Sequence, residues 1–148
     1  MKTILVIGKG GQLSTSLEKM KLPIGWRLLT KDKSDLNLIK FKKLKDKIKK
    51  YKPNIIINSG AFTNVDKCEN YIGNAYKVNS YAMKNLSQLC NKKKIFLIHI
   101  STDSVFNSQK DCFLDERSLV NPCNIYSKSK FLGEVFVKKN LKKFIVLR

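Results

Sequence analysis

The sequence has one histidine, few arginines and no long apolar run, and each shortage excludes a class of function. The four cysteines, Cys68, Cys90, Cys112 and Cys123, include no Cys-x-x-Cys pair, and His99 is the lone imidazole. A zinc site asks for tighter spacing and more ligands, so no metal is expected. A thiol nucleophile asks for a histidine base, yet His99 lies inside an apolar strand pattern; reduced structural thiols are the expectation. The longest apolar runs, Ile4 to Ile7, Ile55 to Ile57 and Ile95 to Ile98, are far too short to span a bilayer. The stretch after Met1-Lys2 breaks at Gly8-Lys9-Gly10-Gly11 and lacks a small-x-small cleavage site. That argues against a signal peptide and for a cytoplasmic protein with no membrane partner.

Acidic residues are scarce as well. There are 11 against 30 basic ones, for a formal net charge of +19 and a pI near 9.9. Such an excess invites a nucleic-acid reading. The identity of the cations opposes it: only Arg27, Arg117 and Arg148 are arginine, and the rest are lysines spread along the chain. Base edges and bidentate phosphate contacts favour arginine, and no aromatic stripe interleaves the lysines. No nucleic-acid partner is expected. A solvated basic surface would still attract anionic metabolites, nucleotides among them.

The 148 residues, 43% hydrophobic with mean hydropathy −0.27, suit one soluble domain spanning 1–148. Short β-branched runs alternate with amphipathic stretches. Strands are expected at Thr3 to Ile7, Arg27 to Thr30, Ile55 to Ile57, Ile95 to Ile100 and Phe144 to Leu147. Helices are expected at Gln12 to Met20 and Tyr126 to Lys139. Two more follow from apolar stripes, Phe41, Leu44, Ile48 and Tyr51, then Ala75, Val78, Ala82, Leu86 and Leu89. A polar loop runs from about Ser101 to Asn124, carrying Asp111 and Asp115. The order βαβαβαβαβ predicts an α/β, Rossmann-like doubly wound fold, with a mostly parallel sheet and helices on both faces. Ligands of such sheets bind at the carboxyl ends of the strands.

Candidate chemistry collects at those ends. Gly8-Lys9-Gly10-Gly11-Gln12-Leu13-Ser14 follows the first strand and opens a helix, as a loop that admits a pyrophosphate would. The second strand ends at Thr30-Lys31, where a lysine suits the extra phosphate of NADP and an acid would suit NAD. Asp35-Leu36 follows and reads either as the adenine side of that site or as a turn cap. The third strand ends in the small segment Asn58 to Thr63, with Val65-Asp66-Lys67-Cys68-Glu69 beyond it, and the fourth ends at Ser101-Thr102-Asp103. Tyr126 and Lys130 lie four apart, one turn from each other on a helix face, where an ammonium favours the phenolate. A chain this rich in lysine gives about one such pair by chance, so the weight rests on all the segments together.

Together they resemble the extended short-chain dehydrogenase/reductase superfamily, and within it the dTDP-4-dehydrorhamnose reductase family. The carrying residues are Gly8-x-x-Gly11-Gln12-Leu13, Asn58 to Thr63 with Val65-Asp66-Lys67-x-Glu69, Ser101-Thr102-Asp103-x-Val105-Phe106, and Asn121-Pro122-x-Asn124-x-Tyr126-x-x-Ser129-Lys130-x-x-Gly133-Glu134. The resemblance implies NAD(P)H-dependent reduction of the 4-keto group of a dTDP-sugar in nucleotide-sugar and polysaccharide biosynthesis, with NADP slightly preferred over NAD. It implies Tyr126 as proton donor, Lys130 on the nicotinamide ribose, Thr102 with Ser101 on the carbonyl oxygen, and Asp103 near the sugar. Gly8, Gly11, Gln12 and Leu13 match the pyrophosphate turn; Asp35 and Leu36 match the adenine site; Ala61, Phe62 and Thr63 match the segment against the cofactor. A homodimer is compatible with it. Ser14 departs from a third glycine, expected to loosen helix packing slightly, and Ser104 departs from an aromatic. The family's C-terminal substrate lobe lies outside these 148 residues, so negligible turnover is expected of the chain by itself. The alternative is a non-catalytic nucleotide-binding or regulatory subunit of the same fold, which would not need Tyr126.

Overall fold

A computed structural model describes residues 1–106 and 113–148; Asp111 and Cys112 lie outside the described residues. Five strands, β1 (Lys2–Ile7), β2 (Trp26–Lys31), β3 (Ile55–Asn58), β4 (Phe96–Ile100) and β5 (Phe144–Leu147), form one sheet in the order β2-β1-β3-β4-β5. All four neighbouring pairs are parallel, with Ile7 opposite both Lys31 and Asn58, and Asn58 opposite His99. This is a Rossmann-like doubly wound sheet. The chain reverses its direction of winding between β1 and β3, and the crevice for a ligand opens at such a point.

The connecting helices are α1 (Gln12–Glu18), α2 (Phe41–Tyr51), α3 (Val65–Asn70), α4 (Ile72–Tyr76), α5 (Ala82–Lys93) and α6 (Ile125–Asn140). Right-handed crossovers put α2, α5 and α6 on one face and α1 on the other; α5 packs on both α2 and α6, and α1 packs on β2. Burial follows. Ile56, Asn58, Leu97 and His99 point under α5 and α6 and are fully buried, while Ile55, Ile57, Phe96, Ile98 and Ile100 on the other face are half-buried. The core joins Leu5, Ile7, Leu44, Ile48, Met83, Leu86 and Val137.

Three features depart from the periodicity reading. The segment after β3 is helical, because the Asn64 side chain accepts from Lys67 N at 2.8 Å and starts α3. Lys77–Tyr81 forms a π turn between α4 and α5. One extra residue in that turn rotates Asn79 and Ser80 inward, although the stripe Ala75, Ala82, Leu86 and Leu89 stays buried on either side. In α2 the stripe buries Leu44 and Ile48 and leaves Phe41 exposed. Cys68, Cys90 and Cys123 are free thiols, and burial pushes the Cys90 thiol up to about 12. Among the described residues no group of side chains could hold a metal, and no helix is long and apolar enough to cross a membrane.

Candidate active site

The ends of β1 and β3 frame a cleft of about 460 Å³ whose lining includes Gly8, Leu36, Gly60, Ala61 and Phe62. Gly8 adopts φ +113°, and a Cβ there would sit 2.7 Å from Ser59 Oγ and 3.0 Å from Gly60 N. A side chain at Gly8 would be strained and would fill the cleft floor. Bare backbone on both walls fits a flat dinucleotide. Gly11 caps α1, and Gln12 and Leu13 stand exposed on its first turn. Ser14 is buried with its hydroxyl donating to Gly11 O at 2.9 Å, so its departure from glycine is accommodated by a hydrogen bond rather than by looser packing.

Several sequence-derived candidates sit in that cleft and others do not. Leu36, Ala61 and Phe62 line it; Thr63 is exposed beyond it. Lys31 is engaged elsewhere: its ammonium lies 3.0 Å from Asp35 Oδ2, which also accepts from Tyr51 Oη at 2.9 Å, while Lys47 pairs with Asp35 Oδ1. Two ammonium groups and a phenol hold the Asp35 carboxyl far below its usual range. Both residues therefore serve the joint between β2 and α2 in this structure.

The catalytic candidates lie on the turn after β4 and on the first turns of α6, which packs against it. Thr102 caps a 3-10 turn, Asp103–Val105, accepting from Ser104 N at 3.2 Å, and α6 packs against that turn. The start of α6 is fixed twice. Asn124 and Ser127 form a reciprocal capping box, and Ile125 N donates to Glu69 Oε1 at 2.8 Å. Tyr126 thus falls in the first turn, half-buried, and Lys130 one turn later, 3% exposed. Lys130 Nζ donates to the Ile100 carbonyl at 2.6 Å, holding this face of α6 against the strand end that leads to Ser101 and Thr102.

Burial lowers the Lys130 ammonium to about 8, with the Glu134 carboxylate opposing that shift. Its folded value lies below its unfolded one, so stability should rise as pH increases from about 8 toward 10.5. We expect Lys130→Met to remove this rise and to melt at or above the parent temperature at pH 7. Urea midpoints of both proteins at pH 7 and pH 10 check it; equal pH slopes would contradict it. His99, beneath the same helices, is neutral: burial, with Lys130 nearby, lowers it to about 3. Asn58 Nδ2 lies 3.2 Å from His99 Nδ1 and donates to Met83 Sδ at 3.1 Å, tying β3 to β4 and α5 beneath the site.

Two contributors went unread in the sequence. Asn79, turned inward by the π turn, clamps Phe62 through N at 2.8 Å and O at 3.1 Å and reaches Ser129 Oγ at 3.0 Å. It ties the cleft wall to α6. Glu134, fully buried, accepts from Ser101 Oγ at 2.5 Å and from Arg148 Nη2 at 2.7 Å, joining the ends of β4 and β5. In the sequence Asn79 sits inside an apolar stripe, and Glu134 carries no signal beyond its place after Gly133 in the α6 motif.

The family described as RmlD substrate binding domain matches residues 1–148. The chain belongs to this family. It is 34% identical to dTDP-4-dehydrorhamnose reductase of Aggregatibacter actinomycetemcomitans, over 100% of this chain and 51% of that protein. A crystal structure of dTDP-4-dehydrorhamnose reductase from Bacillus anthracis in complex with NADP superposes with TM-score 0.92 at 31% identity, covering 99% of this chain and 52% of that one. The UDP-glucose 4-epimerase of Brucella ovis, at 17% identity and TM-score 0.88 over 100% of this chain and 51% of that one, shares the fold. The chain spans about half the length of the curated relatives it matches.

Proposed function

We infer that residues 1–148 fold as one cytoplasmic unit that binds a nicotinamide dinucleotide, NADP in preference to NAD, and supplies the acid–base residues for reducing the 4-keto group of a dTDP-6-deoxyhexulose to dTDP-rhamnose. The carrying observation is Lys130, a buried cation pinned to the carboxyl end of β4 one helical turn from Tyr126. Burying an ammonium is expensive, and a lysine kept there with one backbone acceptor has a use beyond stability. The names of the relatives and the NADP in the Bacillus anthracis structure support the same reading.

When bound, the reduced nicotinamide supplies the hydride. The chain does the rest. Gly8 and Gly11 let the pyrophosphate approach backbone N–H groups, with Gln12 and Leu13 beside it. Leu36, Ala61 and Phe62 hold the cofactor from its two sides. Lys130 donates to the nicotinamide ribose and, as a cation beside the phenol, favours proton loss from Tyr126. Tyr126 gives its proton to the nascent alkoxide, Thr102 hydrogen-bonds the carbonyl oxygen, and Asp103 contacts the sugar.

The test is a thermal melt of the 148-residue chain with NADPH and with NADH. Trp26 starts β2 at the end of the sheet remote from the cleft, so a melting shift reports binding better than tryptophan quenching. NADPH at a hundredfold excess over Kd should add about 2.7 kcal/mol and raise Tm by roughly 5–10 °C. No shift with either nucleotide at saturation would refute the reading.

A further inference from the structure

α6 buries two opposite charges one turn apart, Lys130 and Glu134. A lysine and a glutamate at this spacing can pair directly, yet among the described residues these two form no salt bridge with each other. Each grips a neighbouring residue at the end of β4 instead. Lys130 Nζ donates to Ile100 O at 2.6 Å, and Glu134 Oε1 accepts from Ser101 Oγ at 2.5 Å. The Ser101 amide is fixed as well, donating to Leu147 O at 2.6 Å.

Arg148 completes the cluster. Its Nε donates to Glu134 Oε1 at 3.1 Å and its Nη2 to Oε2 at 2.7 Å, while the guanidinium lies 4.8 Å from the centre of the Phe106 ring. Lys138 adds a half-exposed contact at 3.6 Å. The other charged groups around α6 are spent, neutral or exposed. His99 on β4 is neutral, and Glu69 on α3 is taken by Ile125 N. Asp103 is exposed in the turn after β4, as are Asp115 and Glu116 outside Arg148. The lysines of the π turn and α5 are exposed, the Cys90 thiol is neutral, and α4 carries no charged residue. Glu134 is the buried carboxylate that faces this cluster.

We propose that Glu134 is a positioning residue for the reduction: it balances the charge of Lys130, shares that task with Arg148 as its counter-ion, and holds Ser101. This rests on reading Lys130 as the holder of the nicotinamide ribose. Because the Ser101 hydroxyl donates to Glu134, the substrate carbonyl is left to Thr102 alone.

A negative charge near a buried ammonium favours its protonated form and a positive one opposes it. Removing Glu134 or Arg148 should therefore act in opposite directions. NMR of the chain with isotope-labelled lysine follows Lys130 without any nucleotide, and Lys130→Met identifies its signal. From a parent midpoint of about 8, Glu134→Gln should move the titration down by about one pH unit or more, and Arg148→Gln should move it up. Ser101→Ala, which removes a hydroxyl and no charge, should leave it within about 0.3 pH unit. A scaffolding role would soften these proteins and move no midpoint. Should Glu134→Gln fail to fold, Arg148→Gln makes the same test with the opposite sign. A Glu134→Gln midpoint equal to the parent's, or an Arg148→Gln midpoint that does not rise, would overturn the proposal.

NADPH titrated over the same pH range separates this from the cofactor reading. Affinity should weaken above each protein's own midpoint, hence about one pH unit earlier in Glu134→Gln. Binding that ignores the midpoints would overturn the role of Glu134 and leave the cofactor reading standing, whereas no NADPH binding at any pH would overturn both. With the chain joined to the C-terminal half of a full-length relative, Thr102→Ala should lower kcat at least about tenfold more than Ser101→Ala; equal losses would overturn the assignment of Ser101.

Discussion

Gly133→Ala should lower the melting temperature by roughly 6–12 °C, a loss of about 3 kcal/mol or more. Helix propensity alone gives the opposite sign, since alanine in place of a helical glycine gains up to about 1 kcal/mol. The steric term wins. A Cβ at Gly133 would stand 2.2 Å from the Asn79 carbonyl oxygen and 3.4 Å from Met83 Cγ. The oxygen belongs to the π turn, and its residue is held through its side chain by Phe62 and Ser129. It cannot withdraw without pulling on the cleft wall. Gly73→Ala is the paired control: its Cβ would meet nothing within 4 Å, so that variant should match or exceed the parent. A Gly133→Ala protein melting within 2 °C of the parent would mean that α6 and the π turn are not packed as described.

The second large effect is chemical. With the chain joined to the C-terminal half of a full-length relative, Tyr126→Phe should lower kcat by about 10²- to 10⁴-fold, the range for loss of a positioned proton donor. NADPH affinity should change by less than about threefold, because Lys130, anchored on Ile100 O, keeps its place without the phenol. An unchanged kcat would favour the non-catalytic nucleotide-binding subunit. That subunit, though, would have no reason to keep a buried ammonium one turn from a tyrosine.

Much of this was legible in the chain because local chemistry dictates it. The β-branched runs could only be buried parallel strands, and the glycines after β1 mark a turn that no side chain fits. Tyr126 and Lys130 share a face by helical spacing, and Asn124 as a cap sets the phase of that helix. The remainder depends on groups distant in sequence. Nothing in Ala75 to Leu89 announces a π turn, so nothing within that stripe singles out Asn79. Lys31 looked free because its neutraliser, Asp35, receives two further donors from α2 that only packing delivers. Glu134 gained its role when the ends of β4 and β5 came together around it. Ser14 shows the converse: a departure from glycine that sequence logic penalised is satisfied by one hydrogen bond.

Amide NMR of the chain titrated with NADPH tests most directly whether one cleft joins the glycine loop to the catalytic turn of α6. The largest shifts should fall in two separate segments, Gly8 to Leu13 and Ala61 to Thr63, together with the first turns of α6 around Tyr126 and Lys130, and the amino ends of the strands should stay unmoved. Shifts confined to the lysine-rich outer face of α2, or absent from the start of α6, would contradict it.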